Sequence, residues 1–333
     1  MSDPLLDIQD LLTVFPGARG EVAAVDGLDL RVMPGEVLGL VGESGCGKSV
    51  TALSVLGLVP PPGRVKAGRV IFDGQDILDI EPARLRALRG SSISMVFQEP
   101  MTSLNPVFSV GSQVAEMVLA HRQVSPQAAW DMAVEMFQQV GIPEPAKRAS
   151  AYPHQLSGGL RQRVMIAMAL ALSPRLVMAD EPTTALDVTI QAQILHLMQQ
   201  LQQKSGASIL LITHNLAVVA QMAGRVAVMY TGRQVEDAPV GELFQEPLHP
   251  YTRGLLACLP SRAAARGQHL PTIAGIVPPL DALPPGCTFS DRCPERFAPC
   301  QEAEPDLVEV APGHRVRCYL HHGQARASRR AAA

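Results

Sequence analysis

The sequence predicts an α/β fold whose core is a parallel β-sheet covered by helices. Continuous apolar runs of strand length recur at Val37–Val41, Ile93–Phe97, Leu176–Ala179 and Ile209–Ile212. Such runs are typical of strands that are buried on both faces. Helical patterns lie between them, and in Val188–Lys204 the apolar residues recur on one face. Strands that alternate with amphipathic helices favour a parallel sheet.

The first part of the chain has a different pattern. Residues 9–35 show short apolar alternation broken by Gly and Pro, which predicts antiparallel strands and turns. From Glu99 to Ser173 we find only helical patterns, including a stripe that contains Trp130 and Phe137. We therefore expect an antiparallel β subdomain first and a helical subdomain, at about 99–173, inserted in the core.

The composition changes again beyond Pro247, toward proline and cysteine. We expect one domain over residues 1–247, followed by a loop-rich extension over 248–333 that ends in a disordered tail. The extension holds four of the six cysteines: Cys287, Cys293, Cys300 and Cys318. In a reducing compartment, such a cluster favours metal ligation over disulfides.

Composition excludes several classes of protein. A chain of 333 residues with 47% hydrophobic residues is long enough for about two domains and is not disordered over most of its length. The 28 basic and 31 acidic residues give a net charge of −3, without the basic field of a nucleic-acid binder. No run approaches the roughly 18 apolar residues that cross a bilayer, and the first ten residues do not resemble a secretory signal. We expect a cytosolic protein.

One glycine-rich segment carries the strongest chemical signal. Residues 42–49 match G-x-x-x-x-G-K-[ST] between a predicted buried strand and a helical stretch. In such a loop the backbone N–H groups face phosphates, Lys48 supplies a positive charge, and the Ser49 hydroxyl can bind Mg²⁺. A plain glycine-rich turn is the alternative. The residues expected to bind nucleotide here are Gly42, Ser44, Gly45, Cys46, Gly47, Lys48, Ser49 and Val50.

Cys46 lies inside this loop. Positive surroundings would lower the pKa of its thiol and make it a target for oxidation or alkylation. The alternative is that Cys46 only fills a position that requires a small residue.

Two carboxylates end the predicted strand Leu176–Ala179. Asp180 would hold Mg²⁺ through water, because this cation prefers oxygen ligands and keeps much of its hydration shell. Glu181 is placed to polarise an attacking water. An acidic loop at a strand end is the alternative.

A second turn of serine and glycine, Ser157-Gly158-Gly159, precedes the apolar helical run Val164–Leu172. The N-terminus of a helix attracts anions. Since one phosphate loop encloses a triphosphate on one side only, we expect this turn to face the nucleotide of another subunit. A simple N-cap at Ser157 is the alternative.

The order of these motifs resembles that of an ABC-transporter nucleotide-binding subunit, which implies a RecA-like P-loop ATPase core. Four segments look more specifically like the ATP-binding subunits of dipeptide, oligopeptide and nickel importers, over roughly residues 5–322. These segments are Gln98–Pro106, Tyr152–Leu156, His249–Thr252 and the cysteine-rich end.

The resemblance implies roles for further residues. Gln98 would sense Mg²⁺ or the γ-phosphate and couple it to Glu99–Pro106, which would touch the membrane subunits. His214 would contact the γ-phosphate, or else be a satisfied histidine at a strand end. Asp187 would lie at the dimer interface, or else be an N-cap. Phe15 would stack on adenine, or else belong to the core.

The expected site thus has three groups. Catalysis would use Glu181, His214 and Gln98, and Mg²⁺ would be bound by Ser49, Gln98 and Asp180. Adenine, phosphates and the facing subunit would involve Phe15, the phosphate loop, Ser157, Gly158, Gly159 and Asp187.

The resemblance implies an ATP-hydrolysing subunit that uses ATP and Mg²⁺ to power an importer of di- or oligopeptides. Its partners would be two membrane-spanning permease subunits, a second ATP-binding subunit (identical or a paralogue) and an extracytoplasmic substrate-binding protein, without nucleic acid. The chain would lie on the cytoplasmic face of the inner membrane as a peripheral protein. The alternatives are a nickel or glutathione importer ATPase and a soluble metal-sensing ATPase.

The cysteine spacing C-x5-C-x6-C-x17-C leaves alternatives open. Four thiolates can bind tetrahedral Zn²⁺ or a [4Fe–4S] cluster. The spacing lacks the C-x2-C pairs common in zinc sites, and some members of the resembled branch carry a [4Fe–4S] cluster on a similar tail. We therefore expect iron–sulfur first, with zinc, free thiols, or a mixed zinc site that includes His314, His321 or His322 as alternatives.

Overall fold

The computed structural model describes residues 3–18, 20–184, 186–259 and 271–323. The strands, in chain order, are β1 Leu6–Gly17, β2 Gly20–Val32, β3 Val37–Val41, β4 Arg64–Phe72, β5 Gln75–Asp76, β6 Ile93–Val96, β7 Leu176–Asp180, β8 Ser208–Thr213, β9 Arg225–Tyr230, β10 Arg233–Pro239, β11 Val308–Ala311 and β12 His314–Val316. The predicted disordered tail, beyond residue 323, lies outside the described residues.

The helices are α1 Lys48–Val55, α2 Pro82–Leu88, α3 Pro100–Ser103, α4 Val110–His121, α5 Pro126–Gln139, α6 Pro145–Ala149, α7 Gly158–Leu170, α8 Val188–Ser205, α9 Leu216–Met222, α10 Val240–Gln245, α11 Pro250–Ala257 and α12 Pro299–Glu302. Short 3₁₀ helices lie at Pro153–Gln155, Ser290–Arg292 and Tyr319–His321.

The described chain divides into two compact units. Unit 1 contains Val32–Val37 and Asp79–Ile212 together with the first residues of the chain. Unit 2 contains Leu6–Arg31, Leu38–Leu78 and the chain from Thr213 onward. The domain limits expected from the sequence, at about 99, 173 and 247, stay predictions.

Unit 1 is built on parallel strands. β7 pairs with β6 on one side and with β8 on the other, and all five residues of β7 are buried. These strands are the continuous apolar runs of the sequence, so the prediction of buried parallel strands is confirmed. The helices α3 to α7 lie between β6 and β7 along the chain, and they bury apolar side chains such as Val114, Phe137 and Ile166.

Unit 2 contains two groups of strands. In the first, the order is β2-β1-β4-β5, and β4 is antiparallel to both β1 and β5. The antiparallel region predicted near the start of the chain is therefore confirmed. In the second group, β3 is parallel to β9, and β9 is antiparallel to β10.

The carboxyl-terminal extension is more regular than the sequence predicted. β12 pairs with β10, and β11 pairs with β12, both antiparallel. The sequence missed these strands because they have only four and three residues. A buried carboxylate strengthens the attachment, since Glu236 on β10 accepts hydrogen bonds from the backbone N–H groups of Leu248 and His249 and contacts His314 Nε2 at 2.8 Å.

An aromatic cluster forms part of the core of unit 2. The Tyr230 ring lies 4.8 Å from the Tyr251 ring and 5.3 Å from the Phe289 ring, measured between centroids, and all three side chains are buried. Such tilted and edge-on pairs add to the stability gained from burial. The cluster joins the end of β9 to α11 and to the extension.

Candidate functional site

The glycine-rich segment 42–49 forms a loop between β3 and α1 in unit 2, as predicted. Two of its glycines are required by close backbone neighbours. A Cβ at Gly42 would lie 2.2 Å from the carbonyl oxygen of Met229, and one at Gly47 would lie 2.3 Å from that of Ala24. Gly47 also has a φ of +102°, which only glycine adopts without strain. The loop conformation therefore depends on both glycines.

Lys48 lies inside the loop. Its Nζ donates hydrogen bonds to the carbonyl oxygens of Gly42, at 2.8 Å, and Glu43, at 2.9 Å, and its side chain is buried. α1 begins at this residue, and Gly47 provides no side-chain cap for its first turn. Backbone N–H groups at a helix N-terminus and an adjacent ammonium form a site for a phosphate group.

The structure contradicts the expected reactivity of Cys46. Burial raises the pKa of the Cys46 thiol, and this effect outweighs the opposing influence of the Lys48 ammonium, which lies 3.5 Å from the sulfur. A Cβ at Gly42 would lie 2.7 Å from this sulfur. Cys46 therefore fills space in the loop, and the prediction of a lowered pKa is wrong because the thiol is desolvated.

Phe15 and His214 also belong to unit 2. Phe15 lies on β1 and is partly exposed, and its ring packs so closely on Gly63 that a Cβ there would lie 2.3 Å from it. His214 is exposed and follows β8, directly before Asn215, which caps α9. The proposed contacts of both residues with nucleotide stay predictions.

The acidic residues lie in unit 1 at the carboxyl edge of its parallel strands. Asp180 is the last residue of β7, pairs in register with Ile212 of β8 and is buried. Gln98 follows β6, the neighbour of β7 on the other side, and is exposed. Since the carboxyl ends of parallel strands meet at one edge, Gln98, Asp180 and Glu181 are brought to the same side of the sheet.

Glu181 has an unusual backbone conformation. Its φ is +49°, in the left-handed region that residues other than glycine rarely adopt. The backbone N–H of Glu181 donates to the Ile212 carbonyl at 2.8 Å, and the Thr184 hydroxyl donates to its carboxylate at 2.6 Å. Backbone strain of this kind is common at functional sites. These contacts fix the direction of the Glu181 carboxylate directly after the end of β7.

The second turn, Ser157-Gly158-Gly159, begins α7 in unit 1. The Ser157 hydroxyl accepts a hydrogen bond from the backbone N–H of Leu160 at 3.4 Å, so Ser157 is an N-cap. Asp187 is likewise the N-cap of α8, because its carboxylate accepts from the Ile190 N–H at 2.9 Å. The N-caps that the sequence offered as alternatives are thus present at both Ser157 and Asp187. Both residues are also exposed, which leaves them accessible to a second subunit.

The four cysteines of the extension line one cavity of about 10 Å³ in unit 2. Burial raises the pKa of Cys287 to about 12 and that of Cys318 to about 11, so both thiols are protonated at neutral pH. Among the described residues, no group of three or more His, Cys, Asp or Glu is arranged to hold a metal ion. As described, these residues do not fit a metal centre, because no such group is arranged around an ion and the space holds no more than about one water.

The histidines considered as alternative zinc ligands have other contacts. His314 Nε2 lies 2.8 Å from Glu236 Oε1, His321 Nε2 lies 3.1 Å from the Leu248 carbonyl, and His322 Nε2 lies 3.2 Å from the Asp306 carbonyl. A mixed Cys/His zinc site that keeps these contacts would have to use the other ring nitrogen, Nδ1, of each histidine.

Sequence reasoning missed two contacts of the phosphate loop. The Tyr251 hydroxyl oxygen accepts a hydrogen bond from the backbone N–H of Glu43, and the Arg292 guanidinium pairs with the Glu43 carboxylate. The sequence motif His249–Thr252 contains Tyr251, but the motif indicates no role for this residue. No local signal identifies Arg292, because it lies 249 residues from Glu43 along the chain.

Comparison with known proteins gives a consistent result. A family model described as "ABC transporter" matches residues 25–184, and one described as "Oligopeptide/dipeptide transporter, C-terminal region" matches residues 235–300. The first match includes the phosphate loop and the acidic strand end, and the second includes three of the four cysteines. No described helix is both long and apolar enough to cross a membrane.

Several curated proteins are similar along nearly their whole length. The probable peptide ABC transporter ATP-binding protein y4tR of Sinorhizobium fredii is 50% identical over 96% of this chain and 95% of its own. The dipeptide transport ATP-binding protein DppD of Bacillus subtilis is 46% identical over 97% of this chain and 96% of its own.

Two solved structures share the fold. The ATP-binding cassette MJ0796, solved as a dimer bound to ADP and Pi, has a TM-score of 0.64 and 25% identity, and covers 71% of this chain and 98% of its own. CbiO1 from Clostridium perfringens, part of the ABC transporter complex cbiONQ, has a TM-score of 0.62 and 27% identity, and covers 74% of this chain and 92% of its own.

Proposed function

This chain belongs to the ABC transporter family, as an ATP-binding subunit of the oligopeptide and dipeptide branch, and we propose that it hydrolyses ATP to power peptide import. One observation carries the proposal: a complete phosphate loop, with Lys48 held inside it, in a chain about half identical to peptide import ATP-binding proteins over nearly its full length. The relatives' names point to peptides rather than to nickel or glutathione.

The phosphate loop binds ATP. Lys48 and the N–H groups at the start of α1 contact the outer phosphates, and Phe15 stacks on the adenine. Ser49, Gln98 and Asp180 would hold Mg²⁺, and their hydroxyl, amide and carboxylate oxygens are the donors that this cation prefers. When bound, Mg²⁺ neutralises the charge that develops on the phosphates during hydrolysis.

Glu181 activates the attacking water. The contacts with Thr184 and Ile212 hold its carboxylate in one direction, so that it can accept a proton from the water. As the water oxygen bonds to the γ-phosphorus, the bond from that phosphorus to the β-phosphate oxygen breaks, and ADP and phosphate are released. His214 contacts the γ-phosphate, and Gln98 links the occupancy of the site to the segment that follows it.

A second ATP-binding subunit completes the site. The exposed turn Ser157–Gly159 covers the γ-phosphate of nucleotide bound to the facing subunit, and Asp187 lies at the same interface. The facing subunit is an identical chain or a paralogue. Hydrolysis removes the γ-phosphate that joins the two ATP-binding subunits, and the subunits then separate.

The segment after Gln98 contacts the permease subunits. Large apolar side chains are exposed within this segment, at Met101, and directly beside it, at Phe97, Val107 and Phe108, which is unusual for a surface that faces only water. We assign this surface to two membrane-spanning partners at the cytoplasmic face of the inner membrane, in a complex with an extracytoplasmic binding protein. Closure around ATP would displace the two copies of this segment and so move the permeases.

No step of this function uses a metal at the cysteines. The expectation of a [4Fe–4S] cluster, with Zn²⁺ as the alternative, rests on the spacing and the resemblance alone. Anaerobic purification followed by metal analysis tests it. About four iron and four sulfide per chain would support the cluster, whereas a colourless protein with one zinc would support the alternative.

The proposed function is tested with the purified complex reconstituted in liposomes. The binding protein is added on the side of the membrane that the extracytoplasmic face of the complex occupies. We expect ATP-dependent uptake of labelled di- or oligopeptides, and no uptake with the Lys48→Ala subunit. Wild-type chain that neither binds MgATP nor copurifies with permease subunits would overturn the proposal. Uptake of Ni²⁺ or glutathione in place of peptides would correct the cargo and leave the ATPase role intact.

A further inference from the structure

Two residues of the carboxyl-terminal extension, Tyr251 and Arg292, contact the phosphate loop at Glu43. The backbone N–H of Glu43 donates a hydrogen bond to the Tyr251 hydroxyl oxygen at 2.8 Å. The Glu43 carboxylate accepts two hydrogen bonds from Arg292, at 2.7 Å from Nη1 and 3.1 Å from Nη2. Backbone and side chain of the same loop residue are thus both fixed by residues far along the chain.

Arg292 is itself held in place. Its side chain is 5% exposed, and its Nε donates to the carbonyl oxygen of Ala274 at 3.1 Å. The guanidinium carbon lies 5.8 Å from the centre of the Tyr230 ring and 5.9 Å from that of Phe289. A planar guanidinium with both edges engaged is a rigid partner, and the paired geometry with a carboxylate is directional.

Glu43 connects these residues to the group that binds phosphate. Lys48 Nζ donates to the Gly42 carbonyl oxygen at 2.8 Å, which belongs to the same peptide group as the Glu43 N–H that Tyr251 binds, and to the Glu43 carbonyl oxygen at 2.9 Å. The Glu43 carboxylate brings a negative charge into a loop that binds an anion. Arg292 neutralises this charge at a side chain that is 29% exposed, where water screens it only in part.

We propose that Arg292 and Tyr251 are positioning residues of the phosphate loop, which hold Glu43 and neutralise it so that the loop accepts a triphosphate. The inference rests on the proposed binding of ATP by this loop. The carboxyl-terminal region thereby takes part in ATP binding, although it supplies no group to the nucleotide itself.

Variants of Arg292 and Tyr251 test the two parts of the proposal, and different effects are expected for them. Arg292→Met removes the positive charge and leaves the Glu43 carboxylate uncompensated beside the phosphates. We expect the KM for MgATP to rise about tenfold while kcat changes less than about twofold, because the loss affects nucleotide binding in the ground state and the transition state alike. Tyr251→Phe removes only the acceptor for the Glu43 N–H, and we expect a rise in KM of about threefold.

Rescue is the decisive measurement. Glu43→Gln removes the charge that Arg292 neutralises, so the double variant Glu43→Gln, Arg292→Met should have a lower KM for MgATP than Arg292→Met alone. Arg292→Lys keeps the charge but loses the paired geometry, and an intermediate KM is expected; it also serves if Arg292→Met does not fold. A purely structural role for Arg292 would lower the melting temperature without this rescue.

Arg317 offers a matched control in the same region. It too is an arginine of the extension whose guanidinium bonds to backbone carbonyls, those of Gln234 and Pro305, and its described contacts do not include the phosphate loop. Arg317→Met should leave the KM for MgATP unchanged even where it lowers the melting temperature.

The measurements are MgADP titration and steady-state ATPase kinetics of the full chain. The inference is overturned if folded Arg292→Met has the KM of wild type, or if the double variant is as impaired as Arg292→Met. Wild-type chain that does not bind MgADP at all would instead overturn the proposed function, so the two failures are distinguishable.

Discussion

The chain has two glycine-containing turns at helix N-termini, and they differ in how they are held. In the phosphate loop, backbone carbonyls lie 2.2 and 2.3 Å from where a Cβ would stand at Gly42 and Gly47, and Lys48 is buried. In the turn that begins α7, a Cβ at Gly158 would meet nothing closer than Leu186 at 3.7 Å, and Ser157 is exposed.

The phosphate loop is a site that one chain completes by itself, whereas the turn at Ser157 is a site that one chain does not complete. The phosphate loop is shaped by contacts within its own chain, which reduces the cost of ordering it around a phosphate. In the turn at Ser157, a Cβ at Gly159 would lie 2.9 Å from the Ile190 side chain, but Ser157 and Gly158 are exposed, which suits a group that meets phosphate across a subunit interface. The sequence signals of the two turns are alike, so exposure distinguishes them.

The largest effect is expected for the residue that we assign as the base. Glu181→Gln should keep MgATP binding but lower kcat by a factor on the order of 10²–10⁴, because the amide cannot accept a proton. ATP should then hold the two turns together, so the variant should form an ATP-dependent dimer in size-exclusion chromatography. Hydrolysis at the wild-type rate would refute the assignment of Glu181.

Lys48→Ala tests the turn that one chain completes. We expect the Kd for MgATP to rise by a factor on the order of 10², since the ammonium is the charge that the loop presents to the outer phosphates. Isothermal titration of wild type and variant measures this directly, with the melting temperature as a check on folding. Unchanged affinity in folded protein would mean that the loop binds phosphate through its N–H groups alone.

Ser157→Asp tests the turn that needs a partner. Aspartate is a good N-cap, so α7 should stay as stable as in wild type, but its charge would repel the γ-phosphate of the facing subunit. We expect unchanged MgATP binding and a loss of ATPase activity and dimerisation of about tenfold or more. Ser157→Asn is the control, because it keeps the cap without the charge, and equal activity of the two variants would leave Ser157 as a cap only.

The smallest effect concerns the stability of the region that holds the phosphate loop. Burial lowers the pKa of His249 to about 4 from 6.5, and its neutral Nδ1 accepts a hydrogen bond from the backbone N–H of Tyr251 at 3.0 Å. Because the folded pKa is the lower one, this contribution is complete above pH 6.5 and is lost as the pH falls toward 4. The loss is at most roughly 3 kcal/mol.

His249→Asn keeps an N-cap acceptor and removes the titration. Denaturant unfolding at pH 7, 5.5 and 4 should show a smaller fall in the free energy of unfolding for this variant than for wild type. His249→Ala, which loses the cap as well, should be less stable already at pH 7. Equal pH dependence of wild type and His249→Asn would show that other groups govern acid unfolding.

Much of the fold could be predicted because its signals are local. Apolar runs marked the buried strands, and the apolar stripe of Val188–Lys204 marked α8, which the structure gives as Val188–Ser205. β11 and β12 could not be predicted, since strands of four and three residues form only where they find a partner, here β10 for β12 and β12 for β11. Tertiary pairing decided these elements.

The same distinction holds for the site. The glycines and Lys48 occur at fixed spacings in the phosphate loop, and Asp180 and Glu181 are adjacent at the end of β7. Such local arrangements are made by residues that are close in the chain, so the sequence shows them directly. The lowered pKa expected for Cys46 was wrong, since the charge of Lys48 is visible in the sequence and the burial of the thiol is not.

The sequence alone therefore determined the family, the phosphate loop and the residues expected to act on ATP. Only the tertiary structure decided that Glu43 meets Tyr251 and Arg292, and that the four cysteines line one small cavity where burial raises the pKa of Cys287 and Cys318. The physical reason is range: backbone turns depend on neighbours in the chain, whereas ion pairs and desolvation depend on neighbours in space, which here lie more than 200 positions apart.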